Sequence, residues 1–245
     1  MTPRKTDLKE RKEKILTITV DQYIRTVSPV SSAFIAKEYG LDLSPATIRH
    51  VLAELEEEGY LTHPHTSSGR VPTQNGYRYY VDYLMDEIHL LEEEKNRIRA
   101  EYEREYAELD VLLEKTSRVL SQMTHYTTFV SVDGLDNKVF CQGTSFIVGY
   151  PEYQDTDKIR AILAALDEKE RLLEIINKEL VQRIEIFIGD EMECADIDTC
   201  SLVVSRYRSR QGVSGRIAVL GPTRMDYKKV VSVVDYFSGL MEDIL

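Results

Sequence analysis

No stretch of this 245-residue chain approaches the roughly 20 consecutive apolar residues that a membrane-spanning helix requires. Cysteine is scarce too. Cys141, Cys194 and Cys200 are odd in number and show no CxxC spacing, which speaks against a disulfide framework or a zinc ribbon and fits a reducing cytoplasm. No signal peptide is visible at the N-terminus, so a cytoplasmic location is expected. Basic charge is also short, with 31 Lys and Arg against 42 Asp and Glu, a net charge of −11. Taken whole, that charge looks wrong for a DNA-binding protein.

The acidity is uneven. Residues 1–80 hold 11 Lys and Arg against 10 Asp and Glu, a net of +1, whereas the remainder holds 20 against 32, a net of −12. Groupings that carry catalysis or metal binding are missing as well. His63-Pro64-His65 has no nearby Cys, His or Asp cluster to complete a metal site. Ser67-Ser68-Gly69 lacks the strand-to-helix elbow of a serine hydrolase, and Gly221-Pro222-Thr223 reads as a turn and helix start. No enzyme activity, metal or cofactor is expected.

What is there is concentrated between Ser44 and Val81. Ser44 can cap a helix that begins at Pro45, a position where the missing N–H costs nothing. At 100° per residue Ile48, Val51, Leu52 and Leu55 form one narrow apolar arc, with Ala46, Arg49, His50 and Ala53 opposite. Upstream, Ser31 to Glu38 reads as a short helix ended by Tyr39-Gly40, and Asp7 to Arg25 as a supporting helix that buries Leu8, Ile15, Ile18 and Tyr23. Two helices joined by a short Gly-containing turn, the second capped and polar on its outer face, make a helix-turn-helix. Downstream, Gly59 breaks the helix, Tyr60-Leu61-Thr62 and Arg70-Val71 read as hairpin strands, and Thr66 to Gly69 as their turn. Tyr77 and Tyr80, with Val81 and Leu84, share one side of a following helix and are expected in the core. Such a unit is the back half of a winged helix.

Glu54, Glu56, Glu57 and Glu58 crowd the C-terminal half of the capped helix, where they oppose both the helix dipole and phosphate. Its reading end is therefore the N-terminal half. The candidate DNA-contacting residues are Ser44, Ala46, Thr47, Arg49 and His50 on the helix, Ser67, Ser68, Gly69 and Arg70 in the wing, and Arg78. Lys5, Lys9, Arg11, Lys12 and Lys14 are further candidates for phosphate, or else a solvated helix face.

Beyond the wing, Leu84, Leu91, Ile98, Leu112 and Val119 keep a seven-residue spacing, interrupted at Lys95, Glu105 and Thr116. This reads as a helical connector over 84–124, either dimer-forming or packed within its own chain. From 125 to 245 the chain reads as α plus β. Val139 to Tyr150, Ile184 to Ile188, Cys200 to Tyr207 and Arg216 to Leu220 are strand-like; Asp157 to Leu166, Glu168 to Gln182 and Met225 to Ile244 are helical. The expected fold is α+β: a winged helix-turn-helix domain over 1–83, the helical connector over 84–124, and a sheet domain over 125–245.

The run His65 to Leu84, HTSSGRVPTQNGYRYYVDYL, resembles the hallmark of the heat-inducible transcription repressor family, HrcA. Gly221 to Tyr227 (GPTRMDY), Tyr150 to Asp155 (YPEYQD) and Arg118 to Tyr126 (RVLSQMTHY) are similar to other segments of that family, in the same order. The resemblance implies a winged-helix repressor that forms a homodimer through a GAF-like second domain and binds double-stranded DNA at an inverted-repeat operator upstream of chaperone genes. It also implies the GroE chaperonin as the partner that keeps the repressor active. Between Thr128 and Lys138 the chain is shorter than the family pattern, so the opening strands of the GAF-like domain and an inserted dimerisation subdomain are expected to be missing. Two other readings stay open: a small-molecule-responsive winged-helix regulator of other genes, and an enzyme or interaction module that keeps the fold without binding DNA.

Overall fold

The computed structural model describes residues 5–64, 69–102, 109–134, 138–151, 153, 155–168, 174, 176, 177 and 180–245, and the chain divides into two compact units, Met1–Asp86 and Glu87–Leu245. The first unit contains α1 (Lys5–Thr26), β1 (Val30–Ser31), α2 (Ser32–Glu38), α3 (Pro45–Glu57), β2 (Leu61–Thr62), β3 (Gly69–Pro72) and α4 (Gln74–Tyr79), which runs into a π-helical turn at Tyr80–Leu84. Ile15, Leu16, Val20, Ile35, Ile48, Val51, Leu52, Leu55, Tyr77 and Tyr80 form its core. The apolar arc expected of the capped helix is thus the face that is buried. Ile15 and Ile18 are buried as expected and Tyr23 is half-buried, while the side chain of Leu8 lies outside the described residues.

The small sheet has one strand more than the sequence reading. β3 lies in the middle, antiparallel to β1 with Val30 opposite Arg70 and antiparallel to β2 with Leu61 opposite Pro72. β1 is two residues long and follows Pro29, so it leaves no periodic trace. Its pairing depends on Gly69, where a Cβ would lie 2.6 Å from the Pro29 Cβ. Thr73 caps α4 by accepting from the Gly76 amide at 3.1 Å, and its hydroxyl donates to the Gly59 carbonyl at 2.6 Å. Tyr60 and Tyr79, then Tyr79 and Tyr83, meet as tilted rings with centroids 5.0 Å apart. Burial, with the hydrogen bond to Glu13 adding to it, pushes the Tyr79 phenol up to about 12.

In the second unit the heptad spacing is not a long free helix. The chain is non-helical over 85–91 and then forms α5 (Glu92–Tyr102) and α6 (Leu109–Thr124). Ile98, Tyr102, Leu112 and Val119 are buried within this unit. The Tyr102 ring meets Phe237 edge-on at 6.3 Å and its hydroxyl donates to Thr116 at 3.0 Å, so even a polar interruption of the seam is buried. From Ile98 onward the seam is occupied by its own chain, while Leu91 is exposed, and both helices fall in the second unit.

A five-stranded antiparallel sheet follows, in the order β5-β4-β8-β7-β6, formed by β4 (Thr127–Val132), β5 (Val139–Gln142), β6 (Ile184–Ile188), β7 (Cys200–Arg208) and β8 (Ser214–Pro222). β4 corrects the expectation that the opening strand is missing. All six of its residues are buried and it pairs with both β5 and β8. The strand-like reading of Val139 to Tyr150 is also too long, because Gly143 at φ +84° turns the chain into a 3-10 helix over Thr144–Gly149. One face of the sheet supplies Phe129, Leu202, Val204, Ala218 and Leu220 to a core shared with Ile162, Ala165 and Leu166 of α7 (Thr156–Asp167). α6 and α8 (Tyr227–Ile244) pack on the sheet as well, with Val230, Val234, Phe237 and Met241 all buried. Most of the helix expected over Glu168 to Gln182 lies outside the described residues. A sheet flanked by helices is the reduced GAF-like α+β domain that was anticipated.

Gly76 offers a direct check of the first unit, because a Cβ there would lie 2.1 Å from the Tyr60 carbonyl oxygen. Backbone cannot yield as a flexible side chain does, so Gly76→Ala should destabilise this unit by about 2 kcal/mol or more. Thermal unfolding followed by circular dichroism measures it, and an unchanged melting temperature would contradict the close approach of β2 and α4.

Candidate nucleic-acid interface

The geometry of the candidate site begins with the cap. The Ser44 Oγ accepts from the Thr47 amide at 3.1 Å and lies 2.9 Å from the Thr47 hydroxyl, so the first turn of α3 is fixed from within. Pro45 occupies the first helical position. Gly40, at φ +52°, directs the chain from α2 into the turn that leads to Ser44. With Ile48, Val51, Leu52 and Leu55 buried, Ala46, Arg49 and His50 are left exposed and Thr47 half-exposed. Arg49 has no ion-pair or hydrogen-bond partner among the described residues. A guanidinium on the N-terminal half of an exposed helix has the donors to engage a guanine edge or a phosphate.

The C-terminal half of α3 differs from its sequence appearance. Its glutamates do not simply repel; three of them hold cations brought by other elements. Lys12 of α1 lies 2.9 Å from Glu54 and 2.7 Å from Glu58, and hydrogen bonds to Glu58 and Glu54 raise the ammonium pKa. His50 Nε2 lies 3.2 Å from Glu54 Oε1. Glu56 takes His63 Nδ1 on one carboxylate oxygen and Arg70 Nε, at 2.7 Å, on the other. Burial pushes Glu56 upward, but the His63 hydrogen bond and the Arg70 charge outweigh it and leave the carboxyl below its ordinary value. Glu57 alone of the four is exposed with no partner among the described residues.

These pairings reassign several candidates. Lys12 is an intramolecular tie between α1 and α3. Lys9 lies 3.6 Å from Glu13, and the side chain of Lys5 is outside the described residues. Arg11 and Lys14 instead flank a surface cleft of about 290 Å³ with Gly40, Leu41, Asp42 and Leu43, the turn leading into α3. In the wing, Gly69 is buried against Pro29, Arg70 is held by Glu56, and Ser67 and Ser68 lie outside the described residues. Arg78 pairs with Asp82 at 3.1 Å. The involvement of Glu56 and His63 escaped the sequence because their pairing depends on how the chain turns back after α3, which no periodicity records.

Residues 132–231 match the family model for the HrcA protein C-terminal domain. The chain is 30% identical to the heat-inducible transcription repressor HrcA of Carboxydothermus hydrogenoformans, over 96% of this chain and 98% of that protein. The chain belongs to the HrcA family. The HrcA of Pelotomaculum thermopropionicum is also 30% identical, over 97% of each chain. A crystal structure described as that of a hypothetical protein superposes with a TM-score of 0.75 at 16% identity, over 96% of this chain and 97% of that one, which supports the fold. The alignment with the Carboxydothermus HrcA runs over 334 positions, more than the 245 residues present here, so that HrcA carries sequence this chain lacks.

The three C-terminal segments that resemble HrcA meet in the second unit. Tyr126 lies 5.9 Å from Tyr150, and Tyr150 lies 5.9 Å from Tyr153, measured between ring centroids. The Tyr126 hydroxyl accepts from the Asp226 amide at 3.2 Å, and Gly221 leaves room for the Tyr126 ring, which would lie 2.7 Å from a Cβ there. Segments far apart in this HrcA-family sequence therefore form one aromatic corner.

The cap can be tested by itself. Ser44→Ala should cost about 1 kcal/mol and Ser44→Gly only a few tenths. Urea unfolding measures both; equal losses would mean that the Ser44 hydroxyl does not cap α3.

Proposed function

We propose that this chain is a sequence-specific, DNA-binding transcription repressor of heat-shock genes that binds an inverted-repeat operator as a homodimer, with α3 as its recognition helix. The observation that carries this reading is Arg49, exposed and without a partner among the described residues on a capped helix whose other face is fully buried, in a chain of the HrcA family. In this reading Thr47, Arg49 and His50 approach base edges in the major groove, Ala46 permits close approach, and Ser44 sets the helix end near the backbone. Arg70, with Ser67, Ser68 and Gly69, forms the wing contact, and Arg78 approaches the backbone. Arg11 and Lys14 contribute phosphate contacts beside the turn.

The same reading calls for two copies. Residues 1–80, with a net charge of +1 and several cations already paired, neutralise few phosphates, so one copy has little affinity to draw on. The GroE chaperonin is the proposed partner that links repression to the load of unfolded protein. No helix among the described residues is long and apolar enough to cross a membrane.

A bidentate arginine-to-guanine contact contributes about 1 to 3 kcal/mol of discrimination, roughly 5- to 150-fold. Arg49→Ala should lower the ratio of operator to random-duplex affinity by that factor, read by gel shift at fixed salt. An unchanged ratio would remove Arg49 from base recognition. Genome-wide binding of the tagged protein before and after heat shock tests the reading as a whole; sites unrelated to chaperone genes would overturn it.

A further inference from the structure

Glu56 occupies an unusual place for an acidic residue in a DNA-reading domain. It projects from α3, the proposed recognition helix, yet each of its carboxylate oxygens meets a cationic or protonatable group of the wing: Oε1 meets His63, just after β2, and Oε2 meets Arg70 of β3. Glu56 and Arg70 keep only 24% and 23% of their side-chain surface exposed. Arg70 Nε is buried and, although 2.7 Å from Glu56, is not aligned for a hydrogen bond, so the contact is chiefly electrostatic. The terminal guanidinium nitrogens, the far side of the fork, have no partner among the described residues. A guanidinium carries donors on both sides of that fork, and holding one side fixes the direction of the other.

We propose that Glu56 is a specificity-determining positioning residue, which pins Arg70 and His63 of the wing to the recognition helix and offsets the charge of Arg70, so that they engage DNA only in the geometry α3 dictates. The proposal rests on the DNA-binding reading given above. Two physical effects follow from one carboxylate. The paired wing attracts phosphate of any sequence less strongly, since the charge of Arg70 is largely offset. The wing also keeps a fixed register to α3, so its contact forms together with the base contacts. Both effects act on the ratio of operator to nonspecific affinity.

Glu57 supplies the control. It sits one residue further along the same helix, bears the same charge and is exposed without a partner among the described residues. Glu56→Gln and Glu57→Gln therefore change the formal charge of α3 equally, and only the first releases the wing.

The experiment measures binding of the full chain to an operator duplex and to a random duplex between 50 and 200 mM salt, for wild type, E56Q, E57Q and the double variant E56Q/R70Q. For E56Q the random-duplex salt slope should steepen by about 0.9, a further loss of about threefold across that salt range, and affinity at low salt should rise. The operator-to-random ratio should fall several-fold. E57Q should leave the ratio unchanged, and R70Q in the E56Q background should abolish the nonspecific gain. An E56Q ratio equal to wild type, or an equal fall in E57Q, overturns the clamp and leaves the DNA-binding reading intact. Loss of affinity for both duplexes with an unchanged salt slope would mark Glu56 as a folding residue only. Should E56Q fail to fold, Arg70→Gln alone serves: a lower operator affinity with an unchanged random-duplex slope supports the clamp, and a random-duplex slope flattened by about 0.9 overturns it. Wild-type protein without any sequence preference would overturn the underlying reading as well.

Discussion

The burial of one face of α3 is the constraint on which the first unit depends. Ile48, Val51, Leu52 and Leu55 are all buried, which leaves α3 no rotational freedom and decides that Ala46, Arg49 and His50 point outward. Fully burying a leucine- or isoleucine-sized side chain is worth about 1.5 to 3 kcal/mol. The four together outweigh any preference of the polar face. The cap at Ser44 then fixes where the helix begins, and hence which residues occupy the first turn and a half. Position and orientation of the exposed arginine are consequences of packing, with no direct selection of its own angle required.

The pairing of charges is built on that frame. From composition alone, four glutamates in five residues look like a source of repulsion at the C-terminal end of a helix, where the dipole is already unfavourable to negative charge. In the fold, Glu54 and Glu58 share Lys12, and Glu56 meets His63 and Arg70. Surface pairs of this kind are each worth about 0 to 1 kcal/mol in stability. Their larger effect is on the field that reaches DNA: Lys12 and Arg70, which a sequence count assigns to phosphate binding, are already offset, whereas Arg11 and Lys14 line the cleft at the turn before α3 and Arg49 is exposed on its N-terminal half.

How much of this was legible follows the range of each signal. The α3 cap, its apolar arc and the αL glycine at Gly40 are local, and the fold reproduces them at the expected residues. β1 is two residues long and owes its existence to the contact of Gly69 with Pro29, a relation no periodicity carries. β4 is a different case. Thr127 to Val132 is rich in β-branched residues, but the strand is covered on both faces and shows no alternation, and comparison with a longer family pattern made it look absent. The seven-residue spacing of Ile98, Leu112 and Val119 was real, yet spacing states only that a face must be buried; the face is buried within its own unit. Arg70 lies in the strand its sequence context predicts, while its hold by Glu56 lay beyond a one-dimensional reading.

In the proposed function, the magnitudes set how many contacts are required. Specific recognition of duplex DNA typically exceeds nonspecific binding by about 4 to 10 kcal/mol, whereas one good bidentate contact provides about 1 to 3. A single α3 with one open guanidinium falls short of the middle of that range even with neighbouring Thr47 and His50 contacts. Two copies on an inverted repeat double the base contacts and the phosphate contacts together, which brings the sum into range without demanding a more basic surface. A weakly charged reading unit and a two-fold operator thus belong together: low bulk attraction keeps a lone copy off random sequence, and the second half-site supplies the free energy that charge does not. In that proposed reading, the shortfall in sequence relative to the aligned Carboxydothermus HrcA leaves the residues present here to hold the two reading units at the spacing of one operator.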